Sequence, residues 1–457
     1  MKMQLSEIAQ ALDIEVKDEW NDITVTSVSF DSRTITAGAL FVPLVAEHDG
    51  HDYVEAARKN GAVATLWQSD HPAKPEVLPA LIVDDSLVAL QSLGHYYLQK
   101  INPRVVAVTG SNGKTTTKDM VAAILSTRLH VKKTQESYNN EIGVPITCLS
   151  MEPNTEVLVV ELGMDRFGQL EHLSKLVEPD VAVITMIGEA HIQFFGTRDK
   201  IADAKMEITH GLKEDGYLIY NGDEPLLAER AKESTVQQLT FGNNADNDFS
   251  AIQIKSHASS TNFKVKAFPD IQFSIPMLGK YNVDNALAAI SVGHLFQVAP
   301  DSMNTALRGF AATKNRTQWL TGKKGEKILS DVYNSNPTAA KKVIEAFSAV
   351  QTKGKRILVI GDMLELGEKS AEMHASLADV IDPAKIDSVY LCGKDVAYLA
   401  EKLQGKLAAG DIHLYSIGEK DRLYADLDNH LGADDLVMLK GSHVIQLEKV
   451  VDQLINA

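Results

Sequence analysis

Cysteine is almost absent: the 457-residue chain carries two, Cys148 and Cys392, far apart in sequence. That excludes a disulfide framework. No apolar run approaches the roughly 20 residues needed to cross a bilayer. The opening MKMQLSEIAQALDIEV also lacks the apolar segment of a secretory signal. A cytoplasmic protein with no membrane insertion is expected. Positive charge is scarce as well, 45 Lys and Arg against 61 Asp and Glu, for a formal net charge of -16. This balance disfavours nonspecific binding to nucleic acid, so no nucleic-acid partner is expected, while small anionic substrates stay open. Short internal repeats and low-complexity segments are missing too, and the joints between domains are expected to be hinges rather than long linkers.

What is present reads as an ordinary globular composition, 44% hydrophobic and 23% charged, in a chain too long for one core. Three α/β domains are expected, with joints near residues 85 and 317. Residues 1–85 mix a helical start with short β-rich runs such as ALFVPLV and ALIVDD, a small N-terminal α/β domain. Residues 86–317 carry the buried-type runs VLVVELG, VAVITMIG and GYLIYNGD alternating with helical stretches, the pattern of a mainly parallel sheet. Within this segment AIQIK, NFKVKAF and IQFSI alternate polar and apolar residues, which predicts an antiparallel extension. Residues 318–457 restart the strand–helix rhythm with KILSDVY, RILVIGDM, SVYLCGKD, DIHLYSIG and LVMLKGS. A Rossmann-like doubly wound sheet is expected there.

The stretch VVAVTGSNGKTTTK, Val105 to Lys118, holds the parts of a phosphate cradle: strand, glycine loop, lysine, hydroxyl and helix. The usual pattern places a glycine five residues before Gly113, and that position is Val108. The bland alternative is a structural strand-to-helix turn, which Gly113-Lys114-Thr115 directly after such a strand disfavours. Nucleotide binding by Gly110, Ser111, Asn112, Gly113, Lys114, Thr115 and Thr116 is predicted, with backbone N–H groups of Ser111 to Lys114 gripping phosphate and Thr115 ligating Mg²⁺. Glu161 closes the next buried run, where a second carboxylate would meet the metal; a lone acid at a strand end is more often a helix cap or a surface charge, and its place beside the cradle reverses that balance. His191 follows VAVITMIGEA near the carboxyl edge of a strand, where open α/β sheets place ligands. Lys205 lies on an expected helix in IADAKMEITHGL. Taken singly, both suit ordinary surface roles.

The run TGSNGKTTTK resembles the ATP site of the Mur ligase family, which joins amino acids or peptides to the UDP-linked peptidoglycan precursor. The family's glycine spacing accounts for Val108. NNEIGVP (Asn139 to Pro145), GEAHIQFFG (Gly188 to Gly196), DVYNSNP (Asp331 to Pro337), GDMLELG (Gly361 to Gly367) and LKGS (Leu439 to Ser442) are similar to the member that takes UDP-N-acetylmuramoyl-tripeptide and D-alanyl-D-alanine. The resemblance runs from SFDSRTITAGALFVPL to KGSH and implies an ATP-dependent amide-bond-forming ligase of cell-wall synthesis. It implies two Mg²⁺ ions, with Thr115 and Glu161 at one, and His191 and a CO₂-carbamylated Lys205 at the other. Lys114, His191 and Lys205 are then the catalytic candidates. Asn282 and Asn285 in YNVDNALAA fall on the adenine side, while Arg316 and Asp331 close on phosphate and ribose. The uridine end is expected near Ser32, Arg33, Glu47 and His48, with Asn139, Asn336 and Lys440 as further substrate contacts. A monomer is expected.

The chain departs from the family's pattern at Ser111, Ala46, Tyr281 and His443. Tyr281, in place of histidine, still offers a ring and a hydroxyl. His443, in place of arginine, offers no bidentate fork. Three other readings compete: a ligase adding the third amino acid or polyglutamylating folate, a P-loop switch, and a scaffold with a dead cradle. The switch leaves GEAHIQFFG and DVYNSNP unexplained, and the scaffold leaves Lys114, Thr115, Glu161, His191 and Lys205 unexplained.

Overall fold

The computed structural model describes residues 1–72, 75, 77–257 and 259–456. They form two compact units that share the chain in alternating pieces. The first takes Met1–Val108, Arg128–Ala182 and Glu207–Tyr217; the second takes Thr109–Thr127, Val183–Met206 and Leu218–Ala457.

In the first unit, strands Ser27–Ser29, Ala39–Phe41, Ala62–Gln68 and Ala80–Val83 pair in chain order as a parallel sheet. Parallel neighbours need crossovers, and helix Val54–Lys59 lies in the one leading to Ala62–Gln68. Ile35, Phe41, Val54 and Trp67 close the core beneath it. Helix Ser86–Ile101 begins where Asp85 accepts hydrogen bonds from the N–H groups of Leu87 and Val88, at 2.7 and 2.9 Å. It packs on helix Gly143–Leu149. Gly94 allows the approach, since a Cβ there would lie 2.7 Å from Pro145 Cβ. Strand Val157–Glu161, buried along its whole length, pairs in parallel with residues 104–108 and with Val131–Lys133. Its continuous apolar run is what two covered faces require.

The second unit contains helix Lys114–Leu125, packed on helix Lys280–Leu295. Strands Gln237–Gly242 and Phe249–Ser256 pair in parallel, after which Phe249–Ser256, Thr261–Val265 and Phe268–Ile275 form the expected antiparallel ladder. Its inward face stacks Phe263 on Phe273, with ring centroids 5.7 Å apart. The C-terminal sheet has six strands, in the order Gln318–Thr321, Lys327–Asp331, Leu436–Lys440, Arg356–Gly361, Ser388–Cys392 and Ile412–Tyr415. The first pair is antiparallel and the rest parallel. Leu436–Lys440 lies between Lys327–Asp331 and Arg356–Gly361, so the carboxyl ends Asp331, Lys440 and Gly361 stand side by side, at the kind of edge where such sheets carry ligands. Among the described residues no helix is long and apolar enough to cross a membrane.

Candidate active site

Backbone geometry builds the cradle. Gly110 and Gly113 have φ of 150° and 81°, conformations that side chains rarely adopt. Neither position has room for one. A Cβ on Gly110 would lie 1.8 Å from Thr185 Oγ1, and one on Gly113 would lie 2.3 Å from Asn285 Oδ1. Thr185 fixes the loop from beneath by donating to Asn112 O at 2.5 Å and Thr109 O at 3.3 Å. Gly113 caps helix Lys114–Leu125 without a side-chain bond, and the first-turn N–H groups of any helix point out of its end. One expectation changes: the Ser111 N–H donates to Met186 O at 2.9 Å and so is committed to the loop. Ser111 Oγ reaches Gly188 O at 3.4 Å. Thr115 and Thr116 are buried at the start of the helix. Lys114 Nζ folds back to donate to Gly110 O at 3.0 Å.

Asn285 and Asn282 meet the cradle helix from the neighbouring helix. Thr117 Oγ1 donates to Asn285 Oδ1 at 3.3 Å, and Asn285 Nδ2 donates to Asn282 Oδ1 at 3.1 Å. Asn282 Nδ2 in turn donates to Leu278 O at 2.8 Å. Both asparagines are thereby oriented. Burial, aided by the charge of Asp331, pushes the Tyr281 hydroxyl up.

Lys205 lies buried on helix Arg198–Met206. Burial, and after it the Lys114 ammonium, hold its amine well below the usual lysine range. His191 lies seven residues beyond the strand Val181–Ile184, capping helix Ile192–Phe195 in a left-handed conformation with φ 64°. Its Nδ1 is 2.5 Å from Glu365 Oε2, and the next turn is held by the Gln193 N–H donating to Glu365 O at 3.0 Å. Glu189, in the same loop, accepts from Thr338 N and Oγ1 at 3.0 and 2.8 Å. Arg198 secures the loop from below, donating to Ile187 O at 2.9 Å and Glu224 Oε2 at 2.8 Å.

The C-terminal sheet also reaches the cradle. Asn336 caps helix Pro337–Ser348 through Oδ1 and donates from Nδ2 to Asn112 Oδ1 at 3.0 Å. Lys440 is buried and spends its ammonium on Asp331 Oδ2 at 2.6 Å and Asn334 O at 3.0 Å. Asp331 also accepts from Thr317 N at 3.1 Å. Arg316 lies over the Tyr333 ring at 3.9 Å, and Tyr333 stacks on His443 with centroids 5.6 Å apart. A column of Arg316, Tyr333 and His443 therefore stands where His443 replaces arginine.

The remaining candidates belong to the first unit. Glu161 is buried and accepts from Asn139 Nδ2 at 2.8 Å, while its N–H donates to Thr134 Oγ1 at 3.0 Å. Ser32 is buried and its carbonyl accepts from Asn60 Nδ2 at 2.8 Å. Arg33 is exposed and paired with Asp31 at 2.7 Å. Glu47 and His48 stand exposed on the turn that closes with Ala46 N donating to His48 O at 3.1 Å. Sequence reading missed Thr185, Glu189 and Glu365. Each is an ordinary polar residue locally, and only its distant partner gives it a task.

Three family profiles match the chain in order: Mur ligase family, catalytic domain, over residues 24–97; Mur ligase middle domain, over 108–293; and Mur ligase, glutamate ligase domain, over 315–443. The UDP-N-acetylmuramoyl-tripeptide–D-alanyl-D-alanine ligase of Bacillus subtilis (strain 168) is 41% identical over 440 residues, 96% of this chain and 95% of the relative. A crystal structure of MurF from Acinetobacter baumannii superposes with a TM-score of 0.87 at 27% identity, covering 100% of this chain and 99% of that one. MurF ligase from Thermotoga maritima in complex with ADP gives a TM-score of 0.82 at 29% identity, covering 94% and 97%. With all three domain profiles in order and a relative this similar along nearly its whole length, the chain belongs to the Mur ligase family.

Proposed function

We propose that this chain is an ATP-dependent ligase that adds D-alanyl-D-alanine to UDP-N-acetylmuramoyl-tripeptide in the cytoplasmic phase of peptidoglycan synthesis. The observation that carries the reading is the 41% identity, spanning 96% of the chain, to a relative named for that reaction. A carboxylate is a poor electrophile, so the peptide carboxylate attacks the γ-phosphorus of ATP, forming an acyl phosphate and releasing ADP. The free amine of the dipeptide then attacks the acyl carbon, and phosphate leaves as the amide forms. Carboxylate and triphosphate repel each other, and Lys114 at the cradle is placed to offset that repulsion.

Mg²⁺ takes oxygen ligands, and Thr115 and the strand-end carboxylate Glu161 are donors of that kind. When bound, the ions neutralise phosphate charge. A lysine ammonium is no ligand for Mg²⁺, but burial lowers the basicity of the Lys205 amine, the free amine is the nucleophile that CO₂ needs, and the resulting carbamate is an oxygen donor. That supports Lys205 as the carbamylated residue, with His191, whose ring lies against Glu365, as a further ligand. The cradle residues Gly110 to Thr116, with Asn282, Asn285, Arg316 and Asp331, serve ATP. Asn139, Asn336 and Lys440 serve or position the peptide side, and Ser32, Arg33, Glu47 and His48 the uridine end. The domains are 1–85, 86–317 and 318–457. The four-stranded sheet falls wholly within the first and the six-stranded sheet within the third.

The test is phosphate release in the presence of the UDP-tripeptide and ATP. D-Alanyl-D-alanine should drive turnover, and single amino acids should not. Turnover with a free amino acid or with glutamate would hand the chain to the earlier ligases or the folate enzymes.

A further inference from the structure

Outside the cradle, three potential metal ligands converge in the first unit. Asp49, His51 and His71 present one donor atom each, all within 4.8 Å of one another. Asp49 and His51 flank the start of the one-turn helix Gly50–Tyr53, while His71 follows strand Ala62–Gln68. His51 is the fixed member. Its side chain is 1% exposed, against 37% for Asp49 and 17% for His71. Trp67 holds both imidazoles edge-on, with centroids 4.6 Å from His51 and 4.9 Å from His71. The two imidazoles stack on each other at 4.5 Å and 18°.

His51 Nδ1 lies 2.6 Å from Asp49 Oδ1, and His71 Nε2 lies 3.7 Å from Asp49 Oδ2. We propose that Asp49, His51 and His71 bind a divalent transition-metal ion of the zinc type, with water as fourth ligand. Two imidazole nitrogens and one carboxylate form a donor set that favours zinc over Mg²⁺, which prefers an all-oxygen shell. Bonds of about 2.1 Å in a tetrahedron place neighbouring ligand atoms about 3.4 Å apart. The shorter separation must open by about 0.8 Å, and, because a metal lies in the plane of each imidazole that binds it, the partly exposed His71 ring must turn out of its stack on His51. The His51 N–H donates to Asp49 Oδ1 at 2.9 Å and so fixes that carboxylate at the start of the helix.

Binding through Nδ1 replaces the contact between that nitrogen and Asp49 Oδ1. On its other side, His51 Nε2 meets Gln68 N at 3.4 Å, a long contact. The ion would join the turn carrying Glu47 and His48 to the segment after Ala62–Gln68, stiffening the proposed uridine side without entering the reaction.

The test uses full-length protein freed of metal by a chelator and kept in saturating Mg²⁺ to occupy oxygen sites. Co²⁺ added as a spectroscopic probe should bind at one per chain, give a tetrahedral visible absorption band and quench Trp67 emission. Zn²⁺ should displace it. His71→Ala, at the exposed edge, and Asp49→Asn should each weaken binding about tenfold or more while the circular-dichroism spectrum stays native. No stoichiometric binding to the parent protein would overturn the proposal, as would unchanged affinity in folded His71→Ala.

Discussion

Lys205 and Lys114 are two lysines that sense each other, and only Lys205 is deeply buried. An ammonium at position 205 would be poorly solvated and repelled by its neighbour, whereas a carbamate reverses its sign. Lys205→Ala is expected to lose most turnover and regain part of it with added acetate, while Lys205→Arg, which fills the space with a fixed charge, gains nothing. Steady-state rates with and without acetate decide it, and full activity of the alanine variant would remove Lys205 from the site. Lys114→Ala should fall below about 1% of parental ATP turnover with an unchanged melting temperature, because it removes a phosphate-facing charge rather than packing.

Asp284 tells a different story at the same scale. It lines a cavity of about 740 Å³ with Tyr281, Lys342 and Val350. Burial pushes its carboxyl up to about 6, against the opposing pull of Lys342 and of Asn243. A folded pKa above the unfolded value of about 3.9 means that this group's stabilisation is full at low pH and is lost as pH rises through about 6. Asp284→Asn keeps an acceptor for Asn243 and should raise unfolding free energy by about 1–2 kcal/mol near pH 8, with little change near pH 4. Denaturant titrations at both pH values check it; an equal gain at both would discard the assignment. Neither burial nor charge environment was readable at this residue, since Asp284 sits in a helix-forming run whose inner face only packing defines.

Among the elements, the cradle turn is the one most determined by its chemistry. Gly110→Ala places a methyl group against Thr185 Oγ1, which itself holds the loop. The variant should lose about 1–3 kcal/mol of stability through overpacking and most of its ATP turnover through loop displacement. Parental turnover in a folded Gly110→Ala protein would contradict the cradle geometry. This turn was legible because strand, glycines, lysine and helix are contiguous in the chain. Helix Ser86–Ile101 and the buried run Val157–Glu161 were legible for the same reason, as local periodicity carried them. The loop from Thr185 to His191 was not. His191 was expected beside a strand end and instead caps a separate helical turn, held by Glu365 from a segment 174 residues later in the chain, a pairing with no local signature. Arg316 shows the same limit, because its position over Tyr333 depends on how a six-stranded sheet orders its ends.

For the molecule as a whole, sequence rhythm conveyed sheet type better than compact grouping. Three domains follow from where patterns restart, whereas the two compact units follow from which segments pack, and the chain passes between them after residues 108, 127, 182, 206 and 217. During synthesis on a ribosome this interleaving imposes a schedule. The four-stranded sheet, whose strands all lie within residues 27–83, is made early, whereas the rest of the first unit lacks its last piece until Tyr217 has left the exit tunnel. The second unit owns two pieces made before that moment and finishes only with the C-terminal sheet. The turn at Gly110 and Gly113 is made before Thr185 and Asn285, the side chains packed against those two glycines, so the nucleotide cradle is translated ahead of the residues that fix it.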